Sequence, residues 1–547
     1  MLDLVSSEAR SAAFLIGVAL HVFVFRRGEW DLAVPKLLGL FTALQLSLVA
    51  FLKLFADDTS YPLNLVAKAV GGLALYLTLG VATSMSIYRL FFHRLNKFPG
   101  PMWARLSNLY VTVLSVKNLH LYEEVEKLHQ QYGDFVRLGP SEISVNHPKA
   151  VDAIYSAQSP CSKGPFYNVL HPRVSLQMVR DKGEHARRRK AWDRGFGSKA
   201  LRNYESRVAG YTDQLLTQIE KSKGTPLNMS DWFNFYSFDV MGDLSFGKSF
   251  GMLRDGVKHY FMKSLHDSMT IIGYFSHLVW LFPFFQIIPI LNAEHLKFWD
   301  WVKNQVEERK KMTTNRPDVF SWILEDYKAA SLPTHQMNID LEGDAYLIVV
   351  AGSDTTAASL TNLFFQLALD PQQVSNLRKE LDEYFQDSNK VDAVTLSKLK
   401  RLNAIIDETL RLHPPVPSGV QRVTPSEGLR IGDTFIPGNN IVQVPMHTAF
   451  RDERMFARPL EFIPERWTTQ PELVKDSSCF IPFSVGPYSC VGKQLALMEM
   501  RYVVSQIVHR YDVSFAPAQN AESFLDGKRD TFTLALGPLD LVFTDRS

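Results

Sequence analysis

The sequence of 547 residues predicts a mainly α fold with a smaller β region, preceded by N-terminal transmembrane helices. Three long apolar stretches lie before residue 90, and a spanning helix needs about 20 apolar residues. Beyond them, helical periodicity dominates the middle of the chain, and short strand-like runs lie on either side of it. We therefore expect a membrane anchor over residues 1–96 and a globular domain over residues 97–547.

The anchor is predicted to contain three spans, at about residues 11–26, 36–55 and 66–90. The third is long enough to cross a bilayer. The second is nearly long enough, and it tolerates Lys53 because this residue lies near its end and can extend its ammonium group to the interface. The first is short, and a secretory signal peptide is the alternative for it. Its leading region carries Asp3 and Glu8 against Arg10, whereas signal peptides begin with basic residues, which favours a span.

The charges between the spans predict their orientation. Arg26 and Arg27 separate the first two spans, and Asp57 and Asp58 separate the second from the third. Basic residues follow the third span: Arg89, His93, Arg94 and Lys97. The positive-inside rule then places the N-terminus outside the cytosol and everything after Tyr88 inside. The prolines of "KFPGP" cannot continue a helix, so this segment is expected to form a stiff hinge.

Composition gives no sign of nucleic-acid binding or of a fold held by disulfides. The formal net charge of +2 gives no reason to expect nucleic-acid binding. Three cysteines, Cys161, Cys479 and Cys490, are too few for a disulfide framework in a chain of this length. The globular domain is therefore expected in a reducing compartment.

The globular domain begins and ends with strand-like runs. Residues 135–139 and 142–146 are the first, and residues 428–445 and 532–544 are the last. One apolar stretch in between, residues 271–290, is long enough for a fourth span. Pro283 and Pro289 interrupt it, so we expect a loop or short helix that enters the membrane interface, with ordinary core as the alternative.

A charged pair lies on a helix that is otherwise apolar. Glu408 and Arg411 stand at i, i+3 on one helix face. Apolar neighbours indicate that the pair is buried, and a buried pair needs further partners for its remaining donors and acceptors. Arg466, in "FIPERW", is a candidate partner.

A long apolar helix is predicted over residues 346–371, and it contains one polar cluster. Asp354, Thr355 and Thr356 follow Gly352, a residue that allows a close approach to the backbone. An acid beside an alcohol on an apolar helix indicates proton transfer in a dry site. A buried polar patch of purely structural use remains the alternative.

Cys490 lies in the glycine-rich loop "FSVGPYSCVG", just before a predicted helix over residues 491–508. A thiolate near a helix N-terminus is stabilised by amide donors and by the helix dipole. A single cysteine can be the axial ligand of a haem, but it cannot form a structural zinc site. An inert buried cysteine is the alternative.

Together these motifs resemble the four signatures of the cytochrome P-450 family, in the family's order. They are Ala351-Gly352-x-Asp354-Thr355-Thr356, Glu408-x-x-Arg411, Pro464-Glu465-Arg466-Trp467 and Phe483-x-x-Gly486-x-x-x-Cys490-x-Gly492. The resemblance extends from about Phe98 to the end of the chain. The three spans and "KFPGP" resemble microsomal members from filamentous fungi.

The resemblance implies the P-450 fold, haem b and a role for each matching residue. Cys490 is expected to ligate the iron, with Phe483, Gly486 and Gly492 shaping the loop against the porphyrin. Asp354 and Thr355 are expected to deliver protons. Glu408, Arg411 and Arg466 are expected to form a structural lock.

The resemblance also implies partners for the haem propionates. They are His185 and Arg189 on one helix face, and Arg422. The family usually has arginine or histidine where this chain has Tyr488, and a tyrosine hydroxyl donates a hydrogen bond without carrying a charge. The other propionate partners are therefore expected to contribute more.

Partner proteins and a location follow from the same resemblance. NADPH-cytochrome P-450 reductase is the expected electron donor, with O2 as co-substrate, and the endoplasmic reticulum is the expected membrane, with the catalytic domain in the cytosol. The run "RRRK" at residues 187–190 could be a solvated face or a nuclear-localisation patch. We expect its outward members, including Arg188, to dock an acidic reductase together with Arg194 and Lys493.

Substrate contacts are expected from residues 166–178, from the residues before Ala351 and from residues 416–420. All are largely apolar, which indicates a hydrophobic substrate. A monooxygenase of fungal secondary metabolism, acting on a terpenoid or polyketide, is the leading interpretation. The alternatives are an isomerase or dehydratase without external reductant, a xenobiotic or fatty-acid hydroxylase, and a non-catalytic haem protein.

Overall fold

The computed structural model describes residues 6–55, 62–312, 317–329, 334–387 and 391–546. Contacts divide the chain into two compact units. The first consists of Met1–Val111, Arg137–Glu142 and His277–Asn292, and the second of the remaining residues. Asp57 and Asp58, which were used to predict the orientation of the spans, lie outside the described residues.

The first unit is built on three long apolar helices. Their bounds are α1 Ser7–Leu20, α2 Val34–Phe55 and α3 Leu63–Ile87. Single π turns extend α1 to Phe25 and α3 to Phe92, and a 3-10 turn precedes α2 from Asp31. Each of the three extended helices is long and apolar enough to cross a membrane. The predicted spans fall on these helices, and the first, at 19 residues, is longer than the sequence indicated.

Two glycines allow α1 and α3 to touch. A Cβ on Gly17 would collide with the carbonyl oxygen of Leu77, and a Cβ on Gly80 would collide with that of Phe14. Beside this contact, His21 Nδ1 and Ser84 Oγ are 2.8 Å apart. Small residues and polar pairs of this kind hold helices together where no hydrophobic effect acts between them.

The apolar stretch at residues 271–290 is not one helix. α12 ends at Phe275, a 3-10 turn covers Val279–Leu281, and α13 spans Phe282–Ile287. Pro283 lies in the first turn of α13 and Pro289 begins α14, positions at which proline costs no hydrogen bond. The stretch therefore does not form a fourth span, and Ile290 leaves 90% of its surface exposed.

The remaining helices complete the chain. In order they are α4 Met102–Leu106, α5 Leu109–Asn118, α6 Leu121–Tyr132, α7 Ala150–Tyr155, α8 Lys182–Gly195, α9 Ser198–Lys221, α10 Met229–Phe246, α11 Met252–Asp255, α12 Tyr260–Phe275, α14 Pro289–Lys311, α15 Val319–Lys328, α16 His335–Leu369, α17 Pro371–Asp387, α18 Ala393–Leu396, α19 Lys400–Leu412, α20 Met446–Ala449, α21 Lys493–Arg510 and α22 Ala521–Asp526. The longest, α16, is buried over most of its length and packs against α10, so it forms the centre of the second unit.

The strands are short. They are β1 Phe135–Gly139, β2 Glu142–Val145, β3 Ser162–Lys163, β4 Leu227–Asn228, β5 Arg422–Val423, β6 Leu429–Ile431, β7 Thr434–Ile436, β8 Ile441–Gln443, β9 Tyr511–Phe515, β10 Arg529–Thr531, β11 Thr533–Ala535 and β12 Asp540–Asp545. β2, β8, β5 and β3 are neighbours in that order, β12 lies between β4 and β9, and β6–β7 and β10–β11 are hairpins. In the antiparallel β3–β5 pair, Lys163 stands opposite Arg422.

Candidate active site

The loop that carries Cys490 is held by its own backbone. The amide of Cys490 donates to the carbonyl of Phe483 at 2.8 Å, and the amide of Ser489 donates to that of Gly486 at 3.1 Å. Gly486 has φ +70°, and a Cβ there would collide with the carbonyl oxygen of Tyr155. Only glycine fits this position.

The space beside the Cys490 sulfur is open. Val491 and Gly492 separate the cysteine from Lys493, the first residue of α21. A Cβ on Gly492 would meet nothing closer than the Phe196 ring at 3.8 Å and Cys490 Sγ at 3.9 Å. Burial raises the pKa of the Cys490 thiol, and the amides of Gly492 and Lys493 oppose this without reversing it. A bound metal cation would deprotonate such a thiol.

Cys490 lines a large cavity inside the second unit. Its empty volume, including the open mouth, is about 1910 Å³. α16, α21 and the cysteine loop supply much of its wall, and Phe483, Gly492 and Thr355 are among the lining residues. The cavity extends from the cysteine loop to the β10–β11 turn, so it can hold a prosthetic group beside Cys490 and a substrate beyond it.

Four basic side chains lie together at the edge of this cavity, and we call them the basic cluster: Lys163, His185, Arg189 and Arg422. Three of them surround the ring of Tyr488. Lys163 Nζ lies 4.9 Å and Arg422 Cζ 4.8 Å from its centroid, and the His185 ring meets it edge-on at 4.7 Å. The sequence predicted His185, Arg189 and Arg422 here, but nothing in it pointed to Lys163.

Three members of the basic cluster have no acidic partner among the described residues. In the described part of the chain, no carboxylate pairs with Lys163, His185 or Arg422. Burial and the charge of Arg422 lower the pKa of Lys163 to about 6, and burial and the charge of Lys163 lower the pKa of His185 to about 3. The cluster therefore favours an anionic ligand.

Buried donors that have no partner among the described residues also indicate an anionic ligand. Arg422 Nε, Tyr488 Oη and Trp192 Nε1 belong to residues that line the cavity, and none has a hydrogen-bond partner among the described residues. Buried donors are normally satisfied, so each calls for an acceptor. Haem carries two propionate carboxylates on one edge of a flat ring, and these residues fit it.

Arg189 contributes differently from the rest of the basic cluster. Its Nη1 donates to the carbonyl of Ser489 at 2.7 Å, and its Nε donates to Asp193 at 2.7 Å. It therefore ties α8 to the cysteine loop, next to Cys490, while its side chain still lines the cavity.

On α16, Thr355 and Asp354 point in different directions. Thr355 lines the cavity, and its hydroxyl donates to the carbonyl of Ala351 at 2.7 Å. Neighbouring helix residues are about 100° apart around the axis, and Asp354 is not among the described residues that line the cavity. Its carboxylate lies instead 3.1 Å from Nε2 of His266 on α12.

Gly352 allows the close approach that the sequence indicated. A Cβ on this residue would lie 2.6–2.9 Å from the side chain of Met241 on α10. Met241 also lines the cavity, so a bulkier residue at position 352 would displace part of the wall.

The three residues of the predicted lock are fully buried and lie together. Glu408 pairs with Arg411 at 2.9 Å and with Arg466 at 3.0 Å. It also accepts from Trp467 Nε1 at 2.9 Å and from the amide of Ile463 at 2.8 Å. The remaining guanidinium donors reach backbone carbonyls, so the pair meets the condition for a buried ion pair.

The prediction that Arg188 lies on the docking surface is wrong. Its side chain is only 5% exposed, and its Nη2 lies 2.7 Å from Asp344 on α16. Its Nη1 donates to the carbonyl of Val174 at 2.5 Å. Since Asp344 also accepts from the amide of Leu176, Arg188 anchors the loop before α8 to α16. Lys190, Arg194 and Lys493 are exposed, as a docking surface requires.

The three predicted substrate segments all contribute to the cavity wall, through Phe166, Ile348 and Val416 among others. Further lining residues were not anticipated: Met241, Met269, Ile272, Phe532 and Thr533. Phe532, with φ +80° in the β10–β11 turn, stacks on Phe166 at 5.0 Å. The strand-like pattern of residues 532–544 was visible in the sequence, but its turn facing the cavity was not.

Comparison with known proteins gives one family. The family model described as Cytochrome P450 matches residues 99–543. A protein named Cytochrome P450 monooxygenase FCK2, from Fusarium pseudograminearum, is 54% identical over 537 residues, which are 98% of each chain.

Two more distant relatives also match along nearly their whole length. Cytochrome P450 monooxygenase phqL from Penicillium fellutanum is 43% identical, over 98% of this chain and 95% of the relative. Tryprostatin B 6-hydroxylase from Aspergillus fumigatus is 38% identical, over 98% of this chain and 96% of the relative.

Proposed function

The chain is a monooxygenase of the cytochrome P450 family, and on that premise we propose that Cys490 holds the iron of haem b in the cavity of the second unit. The observation that supports this best is the position of Cys490, which shares one large cavity with the basic cluster. Thiolate-ligated haem supplies the cleavage of the O–O bond when it is bound.

The reaction combines R–H, O2, two electrons and two protons into R–OH and water. Thr355 supplies a hydroxyl on the cavity wall, and Asp354 is the adjacent acid. Their proposed role is to bring protons to the site from the side of α16. The rest of the cavity wall is largely apolar and offers few groups that exchange protons, so proton supply is proposed to depend on these two residues.

The propionates are proposed to bind at the basic cluster. His185 and Arg422 are assigned the roles expected from the sequence, and Lys163 joins them. The Tyr488 hydroxyl has no hydrogen-bond partner among the described residues, and in this proposal it donates to a propionate where other members have a charge. Lys163 and Arg422, at 4.9 and 4.8 Å from its ring, supply positive charge at this position.

The proposed substrate is a hydrophobic fungal secondary metabolite with a terpenoid or polyketide skeleton. Aromatic and aliphatic side chains such as Phe166, Ile348 and Phe532 line the cavity and provide no fixed charge for it. One relative is named Tryprostatin B 6-hydroxylase, so hydroxylation of a compound similar to tryprostatin B is a second candidate.

NADPH-cytochrome P-450 reductase is the proposed electron donor, docking on Lys190, Arg194 and Lys493. The three apolar helices are compatible with anchorage in the endoplasmic reticulum, with the catalytic domain in the cytosol. In this proposal the domain and the reductase are on the same side of the membrane.

The test is expression of the full chain in yeast microsomes, followed by a spectrum of the reduced, carbon-monoxide-bound protein. The proposal expects the band of a thiolate ligand in the natural protein and its loss in Cys490→Ser. A thiolate band that survives this substitution contradicts the assignment.

Substrate class is tested by deleting the gene in its host and comparing accumulated metabolites. The accumulated compound is then added to the microsomes with NADPH. Conversion without NADPH would contradict the monooxygenase assignment and support an isomerase or dehydratase.

A further inference from the structure

His266 and Asp354 form a pair outside the cavity wall. His266 Nε2 lies 3.1 Å from Asp354 Oδ1 and joins α12 to α16. His266 is not part of any motif, and the two residues are 88 positions apart in the sequence. If Asp354 delivers protons to the cavity, it needs a group that supplies them.

The two side chains of the pair differ in their exposure to solvent. The Asp354 side chain is 9% exposed, whereas that of His266 is 39% exposed. Neither is among the described residues that line the cavity. Water therefore reaches the imidazole more readily than the carboxylate.

The surroundings of His266 favour its protonated form. Burial lowers its pKa, but the charge and hydrogen bond of Asp354 outweigh this and raise the pKa above its ordinary value. The charge of Lys258 lowers the pKa of His266, and the charge of Asp267 raises it. The charge of Asp354 also raises the pKa of Tyr346 on α16. On the α10 side, the ring of Phe238 meets the imidazole edge-on at 5.9 Å.

We propose that His266 is a positioning residue of the monooxygenase reaction, which holds the Asp354 carboxylate and reloads it with protons taken from water. This rests on the proposed role of Asp354. In each transfer the Nε2–H proton moves to Asp354 Oδ1, and the ion pair becomes two neutral groups. When Asp354 passes the proton towards the cavity, His266 regains one from water, and the ion pair is restored.

The first arm measures the pair itself in the intact holoenzyme. Exchange of the histidine C2 hydrogen for deuterium, followed by mass spectrometry, gives the pKa of each histidine. Asp354→Asn should lower the pKa of His266 by about one unit or more. Asp267→Asn, which removes a neighbouring charge without a hydrogen bond, should change it less. His335, exposed at the start of α16, should be unaffected by both.

The second arm measures proton supply without a substrate. With reductase, NADPH and O2 alone, electrons divide between hydrogen peroxide, at two electrons and two protons per O2, and water, at four of each. Loss of proton supply should raise the peroxide share several-fold. His266→Gln keeps an amide donor near the Nε2 position but cannot titrate, and His266→Phe keeps only the ring.

The proposal expects both variants to raise the peroxide share and to lose its pH dependence, while His335→Gln behaves as the natural protein. A His266→Gln enzyme with a natural peroxide share and pH profile would show a hydrogen-bond donor only and overturn the proposal. An unchanged His266 pKa in Asp354→Asn would also overturn it. If the natural protein lacks the thiolate band, the proposed function fails. The exchange measurement of the His266 pKa still tests the His266–Asp354 pair in that case.

Discussion

At the scale of single residues, the most informative position is Lys163. It stands opposite Arg422 in the β3–β5 pair, where two like charges disfavour each other. Its ammonium group donates to the carbonyls of Leu176 and Gln177, at 3.1 and 2.7 Å, but meets no acid among the described residues. An anionic ligand relieves this arrangement, so Lys163 should contribute to holding the prosthetic group.

Lys163→Met should release haem to an acceptor protein about tenfold faster or more, because a hydrogen bond to a charged group contributes about 1.5–3 kcal/mol. The matched control is Lys182→Met, whose exposed ammonium group reaches backbone carbonyls. Equal release rates in the two variants would contradict a role for Lys163.

The same residue predicts a pH dependence. Its pKa is about 6 without a carboxylate partner, and pairing with a propionate would raise it. Above about pH 6 the loaded protein then binds more protons than the unloaded one, so haem affinity falls as pH rises. Haem release from the natural protein should accelerate from about pH 6 to about pH 8, and the acceleration should be smaller in Lys163→Met.

Thr355→Ala should divert reducing equivalents from product to peroxide by up to about 100-fold, which is the low end of the contribution of general acid–base catalysis. The measurement is product formed per NADPH consumed. Thr361→Ala is the control, because Thr361 makes the same bond to the carbonyl four residues earlier but is not among the described residues that line the cavity. Unchanged coupling in Thr355→Ala would contradict the assignment.

At the scale of elements, α8 holds two parts of the site in place. Through Arg189 it binds the cysteine loop, and through Arg188 it binds α16 and the loop before α8. The same helix presents Lys190 and Arg194 to solvent. One helix thus connects the ligand loop, the cavity wall and the proposed docking surface.

Asp344→Asn should destabilise the second unit by about 3–5 kcal/mol, because it leaves Arg188 buried without its closest ion-pair partner. Tyr327 also loses a charged acceptor, since its hydroxyl donates to Asp344 at 3.1 Å. Thermal unfolding measures the loss. Asp326→Asn removes one partner of the exposed Arg187 and should cost about 0–1 kcal/mol. Equal losses in the two variants would contradict the anchoring role of Arg188.

The sequence was sufficient for elements with a local pattern. β1 has the predicted bounds, the apolar helix is the core of α16, and His185 and Arg189 share a face of α8 that meets the cavity. It was insufficient where a partner is remote. Lys163 meets Arg422 only through strand pairing, and Arg188 appeared solvated because its partner Asp344 is 156 residues away.

At the scale of the whole molecule, electron supply depends on an encounter with a partner protein. Lys190, Arg194 and Lys493 are exposed, whereas Arg188 is not. Exposed charges of one sign steer a partner of the opposite sign, and salt screens this effect.

Lys493→Glu should lower the rate of reduction by the reductase several-fold at low salt, with a smaller difference at high salt. Stopped-flow measurement of haem reduction tests this, and Lys493→Gln should lie between the two charges. A rate that is insensitive to both salt and charge would contradict docking at this surface.

The glycine contact between α1 and α3 has a practical consequence for anyone who shortens the protein. Gly17 and Gly80 belong to the first and last helices of the anchor, and each accommodates the backbone of the other helix. Removing the first helix to improve solubility would leave the groove at Gly80 facing lipid or detergent. A shortened protein that aggregates or loses its place in the membrane would then report a broken helix pair rather than a defect of the enzyme.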